Sequence, residues 1–379
     1  MSQAGGGRRV FGLDILRAVA VLLVLVGHSV AHFEPPAWIR WFWGAQGTLG
    51  VEIFYVLSGF LIGNILITLA RQGRLHTSAM VWDFWSRRWA RTLPLYFFFV
   101  LLYLRFDYLG VGDLLTTYPF LFFMQNFAWS PIPFFQHSWS LSVEEWFYFL
   151  FPLVFLWLAR DERAYRRPMM ITCVVFILVP LMLRMAVARH VADYDAFNNQ
   201  IRMVVVCRLD AIFFGVLLVL VKTEWAAFYA RLRWCGIPGA LLLLAAAFYL
   251  AAGLPGLTHS YWGMVLFFPV LSLSIAFILP MVERIETLGW SWLDRFMIYT
   301  SRISYSLYLG HICMLTLVNG VLVHLGMTVH GPVQTVFVYV LYGASYYAFA
   351  TVTYQFIERP FLRLRDMSTV SCASLNPGT

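Results

Sequence analysis

Stretches of about 20 mainly apolar residues recur along the chain, near 14–33, 49–70, 92–109, 137–158, 168–189, 201–221, 236–253, 262–281, 303–325 and 333–356. Each is close to the length that crosses a hydrocarbon core of roughly 30 Å as an α-helix. The pattern predicts an all-α protein: a polytopic integral membrane helical bundle of about ten transmembrane helices. Residues 112–128 (GDLLTTYPFLFFMQNFA) are also apolar, but short and interrupted by Pro119. Charge indicates whether they cross. With Arg8 and Arg9 inside and 112–128 not crossing, the basic clusters at 71–91, 160–167, 222–233, 284–302 and 359–365 all fall on the inside. The outer ends then receive only Arg40, Arg105, Arg184, Arg189 and Arg202. The positive-inside rule therefore predicts cytoplasmic termini and a re-entrant or interfacial 112–128.

Composition agrees with this picture. Of 379 residues, 61% are hydrophobic and 12% charged, whereas a soluble chain carries about 25% charged residues. The net charge of +8 comes from arginines in short loops and orients helices, so it is no sign of a nucleic-acid partner. Cys173, Cys207, Cys235, Cys313 and Cys372 show no disulfide or metal-ligand spacing; no metal is expected. Ser29-Val30-Ala31 resembles a signal-peptidase site, but Asp14 and Arg17 interrupt the apolar stretch before it, so a retained first span is expected. The expected organisation is a cytoplasmic tail (1–10), one membrane domain (11–362) and a second cytoplasmic tail (363–379), with membrane lipid around the bundle.

Ionisable residues at membrane depth are costly and mark candidate function. The first span, LDILRAVAVLLVLVGHS (13–29), carries Asp14, Arg17 and His28. Arg17 and His28 are eleven residues apart, nearly three turns, so they share a face about 16 Å apart along the axis. The competing structural reading places all three at the two interfaces, where polar tips are cheap. In GVEIFYVLSGFLIG (50–63), Glu52 sits near the outer entrance of the second span, while Ser58, Gly59 and Gly63 form a small-residue surface for helix packing. In FWSRRWARTLP (84–94), Arg88 and Arg91 are neighbours on one face and Arg87 points elsewhere. Paired guanidiniums at an inner mouth suit phosphate; topology and anionic-lipid contact explain them as well.

In HSWSLSVEEWFYFLFP (137–152), Ser140, Glu144 and Tyr148 share a face and Glu145 is turned roughly 100° away. Glu144, expected at a depth similar to His28, could orient that imidazole and raise its basicity. Arg208 and Asp210 in RLDAIFFG (208–215) are two apart and should pair with different helices. His311 in ISYSLYLGH (303–311) reads as a core histidine bonded to Ser or Tyr, and Glu358 with Arg359 as a helix-end anchor. No inverted repeat is visible, which weighs against a membrane carrier.

LDILRAVAVLLVLVGHS, GVEIFYVLSGFLIG, RRWARTLPLY, HSWSLSVEEWFY, RLDAIFFG and ISYSLYLGH together resemble, in order, the motifs of the membrane acyltransferase-3 family, over about residues 11–362. The resemblance implies an integral membrane O-acyltransferase of a bacterial cytoplasmic (inner) membrane. It would move an acyl group, with acetyl the default, from cytoplasmic acyl-CoA to a sugar hydroxyl of a surface polysaccharide or glycolipid. It further implies His28 as the base, Arg17 as its motif partner, Arg88 and Arg91 as coenzyme A contacts, and Glu144 as the motif carboxylate; acyl-CoA is a co-substrate rather than a bound cofactor. Asp14, Glu52, Ser140, Tyr148, Arg208 and Asp210 remain as supporting candidates. Ile15 stands where glycine often follows the opening Asp. Many members append an esterase-like domain; none follows here, so direct transfer or hand-off to a separate protein is expected. The alternatives are acylation of a lipid or antibiotic at the cytoplasmic face, or a carrier without chemistry.

Overall fold

The computed structural model describes residues 9–29, 37–72, 78–106, 114–159, 165–252, 260–327 and 331–364. Arg8, Arg74, Arg160, Arg163, Arg365 and Cys372, with most of both expected tails, lie outside the described residues. The helices are α1 (Phe11–Ser29), α2 (Ala37–Arg71), α3 (Ser78–Arg105), α4 (Leu114–Leu121), α5 (Trp139–Leu158), α6 (Arg166–Val187), α7 (Tyr194–Phe197), α8 (Leu209–Glu224), α9 (Ala226–Leu232), α10 (Gly236–Ala252), α11 (Tyr261–Val282), α12 (Ser291–His324) and α13 (Gly331–Thr353). A π turn at Tyr354–Glu358 continues α13. The described residues form no strand.

Seven of these stretches are long and apolar enough to cross a membrane unaided: Phe11–Ser29, Gln46–Arg71, Gln136–Leu158, Arg166–Val187, Tyr261–Val282, Ser291–His324 and Val333–Leu364. The chain is thus a multi-pass membrane protein. The other three expected spans are helical but depart from that pattern. α3 carries Asp83, Arg87, Arg88 and Arg91 in its first half, α8 has 16 residues and α10 has 17.

The expected span 201–221 begins as a helix only at Leu209. Its first residues form a π turn (Asn198–Arg202) and a 3-10 turn (Val205–Cys207). The reason lies in the 112–128 segment. α4 has eight residues, about 12 Å of helix, and is too short to cross. The chain then runs non-helically to Phe135, and Val205 and Val206 donate to the carbonyls of Asn126 and Phe127 at 3.0 and 3.1 Å. The Asn126 amide donates to Trp139 O at 3.0 Å and Met203 O at 2.5 Å. Irregular backbone at depth survives where protein groups satisfy it, and here two irregular segments satisfy each other.

Close helix approach is set by glycine. A Cβ on Gly59 would lie 1.8 Å from Ile212 O, and one on Gly215 would lie 2.1 Å from Val56 O, so α2 and α8 touch backbone to backbone. Gly50 allows the same between α2 and α1, where a Cβ would meet Ala20 O at 2.4 Å. The buried charges of this core are paired across helices. Arg208 donates to Glu52, which also accepts from Ser272 Oγ at 3.1 Å. Arg184 grips Asp210 with two bonds of 3.0 and 2.6 Å and donates further to Cys207 O and Val265 O. Arg208 and Asp210 do pair with different helices. Glu52, expected near an entrance, is fully buried.

Candidate active site

One cavity of about 370 Å³ collects six of the polar residues singled out in the sequence, Arg17, Ser58, Arg88, Arg91, Ser140 and Glu144. α1 supplies Arg17; α2 supplies Ser58 and Asn64; α3 supplies Arg88 and Arg91; α5 supplies Ser140 and Glu144; α12 supplies Ser304, Tyr305 and Tyr308. The helical spacing explains the choice. Arg88 and Arg91 sit on the inward face of α3, while Arg87 is exposed and pairs with Asp83 at 2.9 Å. Ser140 and Glu144 lie one turn apart on the cavity face of α5. Glu145 faces the other way, into an aromatic groove with Trp89, Trp146 and Phe149.

Glu144 is held in place by its neighbours. It accepts from Ser58 Oγ at 2.9 Å and Tyr148 Oη at 3.1 Å, and its carboxylate lies 3.7 Å from Arg88. Arg88 also donates to Tyr148 Oη, and its guanidinium lies over that ring, 4.0 Å from the centroid. Three arginines against one carboxylate give the cavity lining a net positive charge. Glu358, in the π turn that continues α13, lies near the charges of Arg91 and Arg17. It is buried and accepts from Ser306 Oγ at 2.8 Å, so it is a core partner rather than a helix-end anchor.

Asp14 is satisfied elsewhere. It pairs with Arg9 at 2.5 Å and accepts from Ser301 Oγ at 2.7 Å, which leaves Arg17 turned to the cavity. At the other end of α1, His28 lies outside this cavity and beside two further histidines. Its ring meets His311 edge-on at 4.9 Å between centroids, and His311 meets His137 at 5.5 Å. Ser140 and Tyr308 line the cavity, and Tyr308 also touches this cluster, its ring 5.9 Å from that of His311. Tyr308 Oη donates to His137 O at 2.9 Å and, its only hydrogen used, accepts from Ser140 Oγ at 2.5 Å.

The expected pairing of Glu144 with His28 is corrected here. Glu144 does not reach His28; its level on α5 is that of Arg88, seven residues or about 10 Å of helix from His137. His28 is instead oriented by the Val24 carbonyl, 2.9 Å from its Nδ1. His311 is a buried histidine bonded to Tyr308, as expected, through that residue's carbonyl at 2.6 Å, and its ring faces His28. Three residues escaped the sequence reading. His137 opens HSWSLSVEEWFY with no local signal that sets it beside His28, and Ser58 reads in sequence only as a packing residue. Arg184 reads in sequence as a topology charge, although an arginine between Leu183 and Met185 in an apolar span is itself a signal.

Residues 10–355 match the family model described as acyltransferase domain. The O-acetyltransferase OatA of Staphylococcus aureus is 26% identical over 375 residues, covering 92% of this chain and 56% of the relative. The peptidoglycan O-acetyltransferase OatA of Listeria monocytogenes is 32% identical over 166 residues, 38% of this chain and 24% of that protein. This chain therefore spans about half the length of the curated relatives it matches. No solved structure matches it. With the family model covering nearly the whole described bundle, cavity and histidine cluster included, the chain belongs to the acyltransferase-3 family of integral membrane acyltransferases.

Proposed function

We propose that the protein is an O-acetyltransferase of the bacterial cytoplasmic membrane that takes its acyl group from cytoplasmic acetyl-CoA and delivers it to a sugar hydroxyl of a surface polysaccharide. The observation that carries the reading is the convergence of Arg17, Arg88 and Arg91 on one cavity, with His28 further along the helix that supplies Arg17. Forked guanidiniums bind phosphate oxygens through paired, coplanar donors, and coenzyme A is a polyphosphate with a long thiol arm. With the termini cytoplasmic, the arginines lie at the inner side and the histidines toward the outer side, so donor and acceptor enter from opposite faces. The printed names of the relatives, O-acetyltransferase and peptidoglycan O-acetyltransferase, support an acetyl group and a cell-wall glycan.

In this mechanism the coenzyme A phosphates dock on the arginines and the thioester reaches past Ser140 and Tyr308. His28 Nε2 takes the hydroxyl proton as the oxygen attacks the thioester carbon. The C–S bond breaks, and the proton ends on the departing thiolate. A positioned base of this kind contributes roughly 10²–10⁴-fold in rate. Glu144 holds Arg88 in place rather than His28.

Sealed vesicles of known orientation test the reading. Acetyl-CoA added at the cytoplasmic face should yield ester-linked acetyl on a glycan enclosed at the other face, and His28→Ala should abolish it. Transfer only when donor and acceptor share the cytoplasmic face would replace this proposal with a lipid- or antibiotic-modifying enzyme. Solute accumulation without acetyl-CoA consumption would replace it with a carrier.

A further inference from the structure

The hydrogen bonds of the histidine cluster reveal which ring nitrogens are free. A backbone carbonyl only accepts, so the ring nitrogen facing one carries the hydrogen and leaves the other nitrogen bare in the neutral imidazole. His28 donates from Nδ1 to Val24 O at 2.9 Å and His311 from Nδ1 to Tyr308 O at 2.6 Å. His137 donates from Nε2 to Leu309 O at 3.3 Å. The lone pairs are thus on His28 Nε2, His311 Nε2 and His137 Nδ1. They do not form a metal cradle: among the described residues, no group of histidines, cysteines and carboxylates could hold a metal ion.

His28 and His311 differ in access. His28 is half-buried, whereas His311 is 1% exposed and its Nε2 is buried without a hydrogen-bond partner. Leaving a buried polar atom unsatisfied costs roughly 1–3 kcal/mol, and such an atom calls for a reason. Its nearest ring neighbour in the cluster is His28.

We infer that His311 is a positioning residue for acyl transfer, its bare Nε2 accepting a hydrogen bond from the His28 imidazolium formed when that ring removes the acceptor's hydroxyl proton. The inference rests on His28 being the base. Between taking the proton from the hydroxyl and releasing it to the thiolate sulfur, His28 carries a charge in a confined site. No carboxylate among the described residues hydrogen-bonds to it. The groups around the pair are His137 in the turn just before α5, Tyr308 on α12, Tyr346 on α13, 6.4 Å from His311, and Arg202 from the turn before α8. α2 packs Gly47 against the edge of His28. These neighbours are neutral or cationic, so the cluster accommodates one proton, and His311 Nε2 is the acceptor suited to share it.

His311→Phe keeps the ring volume and removes the acceptor; His311→Gln restores an acceptor oxygen. The full chain in proteoliposomes, given acetyl-CoA and soluble muropeptides as the probe acceptor, reads thiol release against pH. For His311→Phe, kcat should fall about tenfold or more, with KM for acetyl-CoA little changed because the arginine cavity is untouched. The acid limb should also move to lower pH, since an imidazolium without its acceptor forms less readily, and His311→Gln should recover part of both. Nitrogen NMR of the histidine rings checks the pair independently of the acceptor: His28 should protonate at lower pH in His311→Phe. If His28→Ala is inactive but His311→Phe keeps the wild-type kcat, acid limb and His28 titration, the inference falls alone. If His28→Ala stays active, the base assignment falls and takes this one with it.

Discussion

Removing Asp210 should destabilise the fold strongly while sparing the chemistry. Asp210 and Arg184 are fully buried, and the guanidinium makes four hydrogen bonds, two of them to this carboxylate. Asp210→Ala leaves a guanidinium that cannot lose its proton, facing only the Cys207 and Val265 carbonyls. Breaking a buried pair from one side costs about 3–5 kcal/mol, a factor of roughly 10² to several times 10³ in the folded-to-unfolded ratio at about 1.4 kcal/mol per decade. Arg184→Leu should cost less, because the stranded carboxyl can take up a proton and become neutral. The double change Arg184→Leu/Asp210→Leu should be milder than Asp210→Ala, since apolar residues of similar volume often replace a buried pair without loss. Tryptophan fluorescence during denaturant titration in detergent reads the stability, and acyl transfer per folded molecule reads the function. A double variant no more stable than Asp210→Ala would refute the pairing argument. Asp210→Ala that folds like wild type but loses activity would move Asp210 from the core to the site.

Three further outcomes follow from the geometry. Gly59→Ala should lower folded yield sharply, because its Cβ would lie 1.8 Å from Ile212 O, while Gly320→Ala, with no atom within 4 Å, should not; equal yields would break the account of the α2–α8 contact. Arg88→Ala should raise KM for acetyl-CoA at least about tenfold, the loss of one charge-assisted bond worth about 1.5–3 kcal/mol, and Arg88→Lys should restore only part because lysine lacks the fork; an unchanged KM in steady-state kinetics would remove Arg88 from the donor site. Activity should fall on acidification, because a protonated His28 has no lone pair with which to take the hydroxyl proton; a rate that stays flat down to the pH at which the protein unfolds would be incompatible with an imidazole base.

What was legible in the sequence was whatever a single helix displays. Spacing alone put Arg88 with Arg91, turned Arg87 away, aligned Ser140 with Glu144 and sent Arg208 and Asp210 to separate partners, because 3.6 residues per turn is a local rule. What was not legible depended on vertical register between helices. Nothing within α5 says whether Glu144 or His137 lies level with His28; that is decided by where the non-helical 122–135 segment ends and lets α5 start. The same holds for His311, whose neighbour is fixed by how far α12 slides along α1. The Asp14–Ser301 bond pins that register at one end, and the His28–His311 contact follows near the other.

That register gives the site its order of events. Arg17 and His28 share a face of α1 about 16 Å apart, too far for one small group to touch both, yet a donor with phosphates at one end and a thioester at the other can span such a gap. Ser140 and Tyr308 stand in the cavity wall, joined to each other and to His137 O by hydrogen bonds. Under the proposed function, a donor anchored on the arginines would have to move this pair if its thioester reaches His28 along that wall. Ser140→Ala removes the hydroxyl that donates to Tyr308 without emptying the cavity. If the pair restrains access, this change should raise slow hydrolysis of acetyl-CoA in the absence of acceptor, because the histidine end is then open to thioester and water together. If the pair only packs, hydrolysis should stay at the wild-type level while stability drops by the roughly 0.5–1.5 kcal/mol of a lost hydrogen bond.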